Sequence, residues 1–160
     1  MRLEFKRLTE ADPTDIVVLM NHPRVREHMP LTQDDFAEAD AQAFVQGKER
    51  LWQEHGFGPW AFFVDGQFAG WGGVQPEEGE ADLALVLHPD FWGAGAQIAK
   101  EILRRAFEEF GFPSVIVLFP PTRTRIRALF RLGFVEDGEL ELNGERFLRY
   151  RLHAPVGINP

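Results

Sequence analysis

The residues with the most chemical promise lie together, in Leu85-Val86-Leu87-His88-Pro89-Asp90-Phe91-Trp92-Gly93-Ala94-Gly95-Ala96-Gln97. An apolar run with strand character passes through a Gly-rich turn into a helical pattern. At such a junction several backbone N–H groups converge at the helix start, where unsatisfied donors and the helix dipole attract an anion. The small residues Gly93, Ala94, Gly95 and Ala96 allow a phosphate to approach the backbone. The same glycines also suit a tight strand-to-helix turn with no ligand. A Walker loop would need Gly-Lys-Ser/Thr and is absent. A dinucleotide fingerprint fails as well, because Ile98 occupies its third glycine position and the unit sits mid-chain.

Two titratable side chains flank this segment. Strand alternation puts Asp82, Ala84 and Val86 on one face, which makes Asp82 a candidate general base. A strand-end carboxylate turned to water is the plainer alternative. His88 is the second candidate, since histidine titrates near neutrality, although a His before Pro at a strand end also suits a structural role. His22 and His28 are six residues apart, which is not a ligand spacing, and no metal is expected. Trp60, Trp71, Phe57, Phe62 and Phe63 are expected in the core. Phe57 and Trp60, beside the Gly-rich break at 56–59, are alternatively placed to line a substrate site.

Elements must position these groups. Leu3, Phe5 and Leu8 begin a short strand, and a helix carrying Ile16, Leu19 and Met20 ends at His22-Pro23. Another helical turn is expected at 24–28 and a longer amphipathic helix from Asp34 to about Glu54. Strands at 60–64 and 68–74 are joined by Asp65-Gly66, a strong hairpin signal. Pro76 to Gly79 reads as a second turn before a strand at 81–88. A helix over 94–110, a buried strand at 114–119 and a short helix at 123–132 follow. Gly133 suits the C-cap of that last helix. A hairpin across Asn143-Gly144 closes the domain, leaving 154–160 as a tail. Strands 81–88 and 114–119 are expected to be parallel neighbours through the helix between them.

The chain has 160 residues, 44% hydrophobic and 26% charged, which suits one globular domain and excludes a disordered one. It has no cysteine, so disulfide, thiolate and iron–sulfur chemistry is excluded. The formal net charge of -8 argues against a nucleic-acid binder. No apolar run reaches the length of a membrane span and no secretory signal is visible, so a cytoplasmic protein is expected. Charge is uneven. In residues 1–99, seven basic residues stand against 17 acidic ones, and in the remainder ten stand against eight. The acidic cluster Glu77, Glu78, Glu80 and Asp82 hints at a cationic amine as ligand.

Three segments occur in a telling order: Leu3-Glu4-Phe5-Lys6-Arg7-Leu8-Thr9-Glu10-Ala11-Asp12, then Glu80 through Gly95, then Ile126-Arg127-Ala128-Leu129-Phe130-Arg131-Leu132-Gly133-Phe134. Over residues 3–152 the chain resembles the GNAT superfamily of acyl-CoA-dependent N-acetyltransferases, in particular its RimJ/RimL-like branch. The resemblance implies a single α/β domain over 1–153. Its mixed, largely antiparallel sheet would have a central splayed parallel pair flanked by helices. It implies acetyl-CoA as co-substrate and a small-molecule or peptide amine as acceptor, with a homodimer as one possible assembly. Pantetheine would lie along Leu85, Val86 and Leu87. The pyrophosphate would meet the backbone of Gly93, Ala94, Gly95, Ala96 and Gln97, in a loop opened by Trp92. Asp82 would take the proton of the attacking amine, with His88 in reserve.

The chain also departs from the family. Gln97 is long where the family loop ends in a small residue. A Tyr acid common in the family aligns near Leu129. The branch's Ser and its Asn partner align with Arg125 and Thr122. The only tyrosine, Tyr150, is far down the chain. In a helix over 123–132, Arg123, Arg127 and Arg131 would share a solvated face. Arg125 would lie about 200° round from Arg123, on the cofactor side. A guanidinium there neutralises a phosphate or thiolate without giving up a proton. Three readings follow: an N-acetyltransferase, a diverged acyl-CoA-binding or scaffold protein without transfer activity, and an interaction module that binds no CoA.

Overall fold

A computed structural model describes residues 1–27, 29, 35–123 and 126–155. Seven strands form one sheet: β1 (Leu3–Lys6), β2 (Pro59–Val64), β3 (Gln67–Glu77), β4 (Glu80–Leu87), β5 (Ser114–Phe119), β6 (Val135–Leu142) and β7 (Glu145–His153). Their order is β1-β2-β3-β4-β5-β7-β6, antiparallel throughout except for the parallel neighbours β4 and β5. The helices are α1 (Pro13–Asn21), α2 (Pro23–Arg26), α3 (Glu38–His55), α4 (Gly95–Arg104) and α5 (Arg127–Arg131).

Three two-residue turns build the hairpins. Asp65-Gly66, Glu78-Gly79 and Asn143-Gly144 all carry positive φ at both central residues, the geometry that matches strand twist. The expected turn at Pro76–Gly79 therefore shrinks to Glu78-Gly79, and Pro76 stays in β3 opposite Ala81. Its missing N–H costs nothing there, because the β2 register stops at Pro59↔Gly73 and leaves that side of Pro76 open.

The helix expected from Asp34 begins instead at Glu38. Asn21, at the end of α1, donates to Phe36 O at 2.7 Å and accepts from Phe36 N at 2.8 Å, which holds that residue outside the helix. Asp40 then accepts from Ala37 N at 2.8 Å and caps the first turn. The helix expected over 94–110 is α4 continued by a π turn, Arg105–Glu109. The one expected over 123–132 is only Arg127–Arg131. Arg123 lies before it, so the Arg123–Arg127–Arg131 face does not form.

The sheet divides the core. Trp60, Phe62, Val74, Leu87, Ile98, Ile102, Val115 and Val117 pack on the α4 side, and Leu8, Ile16, Leu19, Ala41, Ala61 and Trp71 on the α1–α3 side. Along β4, Leu83 and Leu85 join the first cluster, while Ala84 and Val86 join the second. β3 and β4 approach closely at Gly72, where an added Cβ would lie 2.4 Å from Ala84 O and 3.0 Å from Leu85 Cα. Gly72→Ala is expected to destabilise the fold by about 1–3 kcal/mol, since backbone must move, read as a lower denaturation midpoint.

Candidate active site

β4 and β5 share one register pair, Asp82↔Ile116. Beyond it β4 continues to pair with β3 through Gly70↔Leu87, and β5 continues with β7 through Phe119↔Leu148. Between them a slot opens that begins at Asp82 and is flanked on one side by Leu83–Leu87. At its closed end Arg151 on β7 donates to Ser114 Oγ on β5 at 2.8 Å and to Asp137 Oδ2 on β6 at 2.8 Å, and also bonds Glu80 on β4. One guanidinium thus joins four strands where the slot starts.

Asp82 is partly buried and faces the α1–α3 side with Ala84 and Val86. Burial pushes its carboxyl up to about 7, the nearby Glu77 charge adds to the rise, and Lys48 opposes it. Lys48, on α3, is itself pulled down by burial and held up by Asp82. Its Nζ donates to Gln75 Oε1, and Gln75 is the residue directly opposite Asp82 on β3. A carboxyl balanced near neutrality where the slot begins suits a general base.

At the far end of β4, Pro89–Ala94 winds as a 3-10 helix that runs directly into α4. Gly95 spends its N–H on Trp92 O, so the first-turn donors of α4 that remain for an anion start at Ala96 and Gln97. Fold geometry alone does not demand glycine in this loop. A Cβ at Gly93 would meet nothing within 4 Å, and one at Gly95 would meet only Leu87 Cδ1 at 3.6 Å. That open space suits the approach of a pyrophosphate. Ala94 is buried under the loop and Ala96 is exposed. Gln97 is exposed and borders a cavity between α4 and β1 with Leu3, Phe5 and Lys100. Trp92 donates its indole N–H to Leu87 O at 2.9 Å and carries the Arg24 guanidinium over its ring at 4.6 Å, tying the loop to the end of β4.

His88 stands six residues from Asp82, about 20 Å along an extended strand, and so belongs to a different place. Its Nδ1 accepts from Asp90 N at 3.1 Å and caps the 3-10 helix. Its ring meets that of His22 edge-on at 5.0 Å. His28 lies outside the described residues. Thr122 is exposed in the turn after β5. Arg125 also lies outside the described residues. Tyr150 pairs with Val117 across β5 and joins Leu129 in the α4-side cluster, with Phe130 at 5.8 Å between ring centroids. Among the described residues no group of three His, Asp or Glu converges as metal ligands, and no helix is long and apolar enough to cross a membrane.

Phe57 and Trp60 pack on the α4 side with Phe110, away from Asp82. The tryptophan that shares the Asp82 face is Trp71. Lys48 and Gln75 had not stood out as site residues. A signal for Lys48 existed: it follows Ala41, Phe44 and Val45 at helical spacing, a charge placed on an apolar stripe.

Comparison with known proteins agrees with this geometry. Residues 2–135 match the model of the acetyltransferase (GNAT) domain family. A 73-residue stretch is 34% identical to FsC-acetyl coenzyme A-N(2)-transacetylase of Aspergillus fumigatus, covering 38% of this chain and 31% of the relative. The fold matches a GNAT-family acetyltransferase of Bacillus anthracis with a TM-score of 0.77 at 17% identity over 96% of both chains. It also matches aminoglycoside acetyltransferase AAC(6')-Ib in complex with coenzyme A, with a TM-score of 0.74 at 14% identity over 94% of this chain and 93% of the other. The seven-strand sheet, its single parallel junction and the family match over most of the length place this chain in the GNAT acetyltransferase family.

Proposed function

We propose that the chain is a RimJ/RimL-like N-acetyltransferase that uses acetyl-CoA to acetylate a primary amine of a small molecule or peptide. The observation that carries this is Asp82: a carboxyl raised to about 7, standing where β4 and β5 part. Bound acetyl-CoA supplies the acetyl group as a thioester that the amine attacks directly. Of Leu85, Val86 and Leu87, the first and last turn their backbone groups to the slot side of β4, while Val86 pairs with Trp71 on β3 and Leu87 O already accepts from the Trp92 indole. The loop Trp92–Gln97 offers the small residues and the helix start that suit a pyrophosphate. Asp82, when ionised, takes the proton that the amine must lose, and its position near neutrality lets it both accept and release that proton.

Release of free thiol from acetyl-CoA, measured against a panel of amines, tests the proposal. Activity is expected to rise with pH through about 7 as Asp82 ionises. CoA binding without thiol release for any amine would favour a non-catalytic acyl-CoA-binding protein instead. What favours that side is that Leu129 aligns with the family's Tyr acid, and Arg125 and Thr122 with the branch's Ser acid and its Asn partner, so neither usual acid is present.

Lys48→Met removes the positive charge that, among the described residues, holds the Asp82 carboxyl down. The midpoint of the pH–rate profile is expected to move to higher pH, with CoA affinity unchanged. A midpoint that stays in place would remove Lys48 from the electrostatics of the base.

A further inference from the structure

Asp82 shares its face of the sheet with Trp71, whose Nε1 is the buried side-chain donor without a hydrogen-bond partner among the described residues. Trp71 is 5% exposed and sits among Phe44, Val45, Ala61, Ala84 and Val86, none of which offers a side-chain acceptor. A buried N–H with no acceptor loses its water and gains nothing in return, and such groups call for an explanation. The neighbourhood supplies one. Lys48 Nζ lies 5.1 Å from the centroid of the indole and is bonded to Gln75, the residue opposite Asp82. Along this face the order is therefore Trp71, Lys48, Asp82: two donors, one of them cationic, followed by one carboxyl.

We propose that the acceptor amine also bears a carboxylate, which Trp71 Nε1–H and Lys48 receive while the amine is presented to Asp82. The proposal rests on Asp82 as the amine-side base. A carboxylate supplies an oxygen to each donor and balances the Lys48 charge. A diamine would set a second ammonium beside Lys48 in a half-buried site. A plain alkylamine would leave the indole N–H unpaired, and a site built around a hydrogen bond discriminates against the analogue that lacks its partner. The span also fits a flexible ligand. Trp71 is opposite Val86, four residues along β4 from Asp82, or about 13 Å, with Lys48 between them. Trp71 Nε1 is buried, so entry requires neighbouring side chains to move, and Lys48 Nζ, 5.1 Å from the indole centroid, is the cation at hand for the carboxylate.

The test uses 15N-labelled protein with CoA present, the four indole N–H resonances being assigned from single Trp→Phe variants. Titrants are 6-aminohexanoate, pentylamine and 1,6-diaminohexane. The Trp71 resonance is expected to move with 6-aminohexanoate and to stay in place with the other two. Trp71→Phe keeps an aromatic ring but removes the donor, and should weaken 6-aminohexanoate about tenfold more than pentylamine. A Trp71 resonance that is unmoved, or moved equally by all three ligands, overturns the carboxylate site. If the variant fails to fold, the titration of the parent protein still decides. Acetyl transfer is followed separately. A selective Trp71 response with no transfer to any amine overturns the catalytic reading alone. Equal transfer to 6-aminohexanoate and pentylamine with Trp71 unmoved overturns the carboxylate site alone.

Discussion

Asp82→Asn is expected to lower kcat about 100- to 10,000-fold, the usual worth of a positioned general base, while CoA binds as before. The amide keeps the size of the side chain and cannot take the amine proton. The loss should therefore appear in kcat and not in cofactor affinity. An unchanged rate on the best amine would remove Asp82 from the mechanism. The same substitution has an opposite effect on stability. The Asp82 carboxyl titrates near 4 in an unfolded chain and at about 7 in the folded one. Between those values the folded state holds the proton that the unfolded state has lost. Stability therefore falls as pH rises from about 4 to about 7, and levels off above. Moving a carboxyl that far corresponds to about 4 kcal/mol, an upper bound for a partly exposed group. Asn carries no charge to bury. The variant should lose this decline and, at pH 8, unfold at a higher denaturant concentration than the parent.

Gly95→Glu is expected to weaken CoA about 100-fold or more, a loss of about 2.7 kcal/mol, measured by calorimetry or thermal shift. Gly95 has helical φ and ψ of -57° and -45°, and its Cβ would meet only Leu87 Cδ1. Any residue can adopt that backbone, so the variant folds. The carboxylate would then occupy the space proposed for phosphate oxygens and repel their charge. Gly95→Ala adds a methyl without charge and should bind CoA far better than the Glu variant. If Gly95→Glu binds CoA as the parent does, the pyrophosphate lies elsewhere.

The framework of the sheet was legible because its signals are local. Asp65-Gly66 and Asn143-Gly144 announce their hairpins, and the apolar run at 114–119 is a strand with the same bounds in the structure. Pairing of β4 with β5 followed from the helix between them. The misjudged boundaries have nonlocal causes. Asn21 delays the start of α3 from 15 residues away. The face of Asp82 was legible from alternation, but its neighbours were not, because Lys48 comes to it from α3 and Gln75 from β3. His88 looked chemical by residue type. Its Nδ1 is occupied by Asp90 N, a contact that Pro89-Asp90 allows in a capping turn and that type alone does not reveal. The histidine pair, His22 with His88, joins residues 66 positions apart and left no mark on the sequence.

The Arg151 junction has a mechanical consequence. The two halves of the sheet are joined like leaves at a hinge, with one guanidinium as the pin through β4, β5, β6 and β7. From Glu80 to Leu87 the lever arm is about 23 Å, seven strand rises. A wedge seated near Leu87 would press the leaves apart with that leverage, and the torque would fall on the ion pair to Glu80 and the hydrogen bond to Ser114. How wide the sheet could gape at Leu87 would thus be set from its opposite end, by the bonds that Arg151 makes.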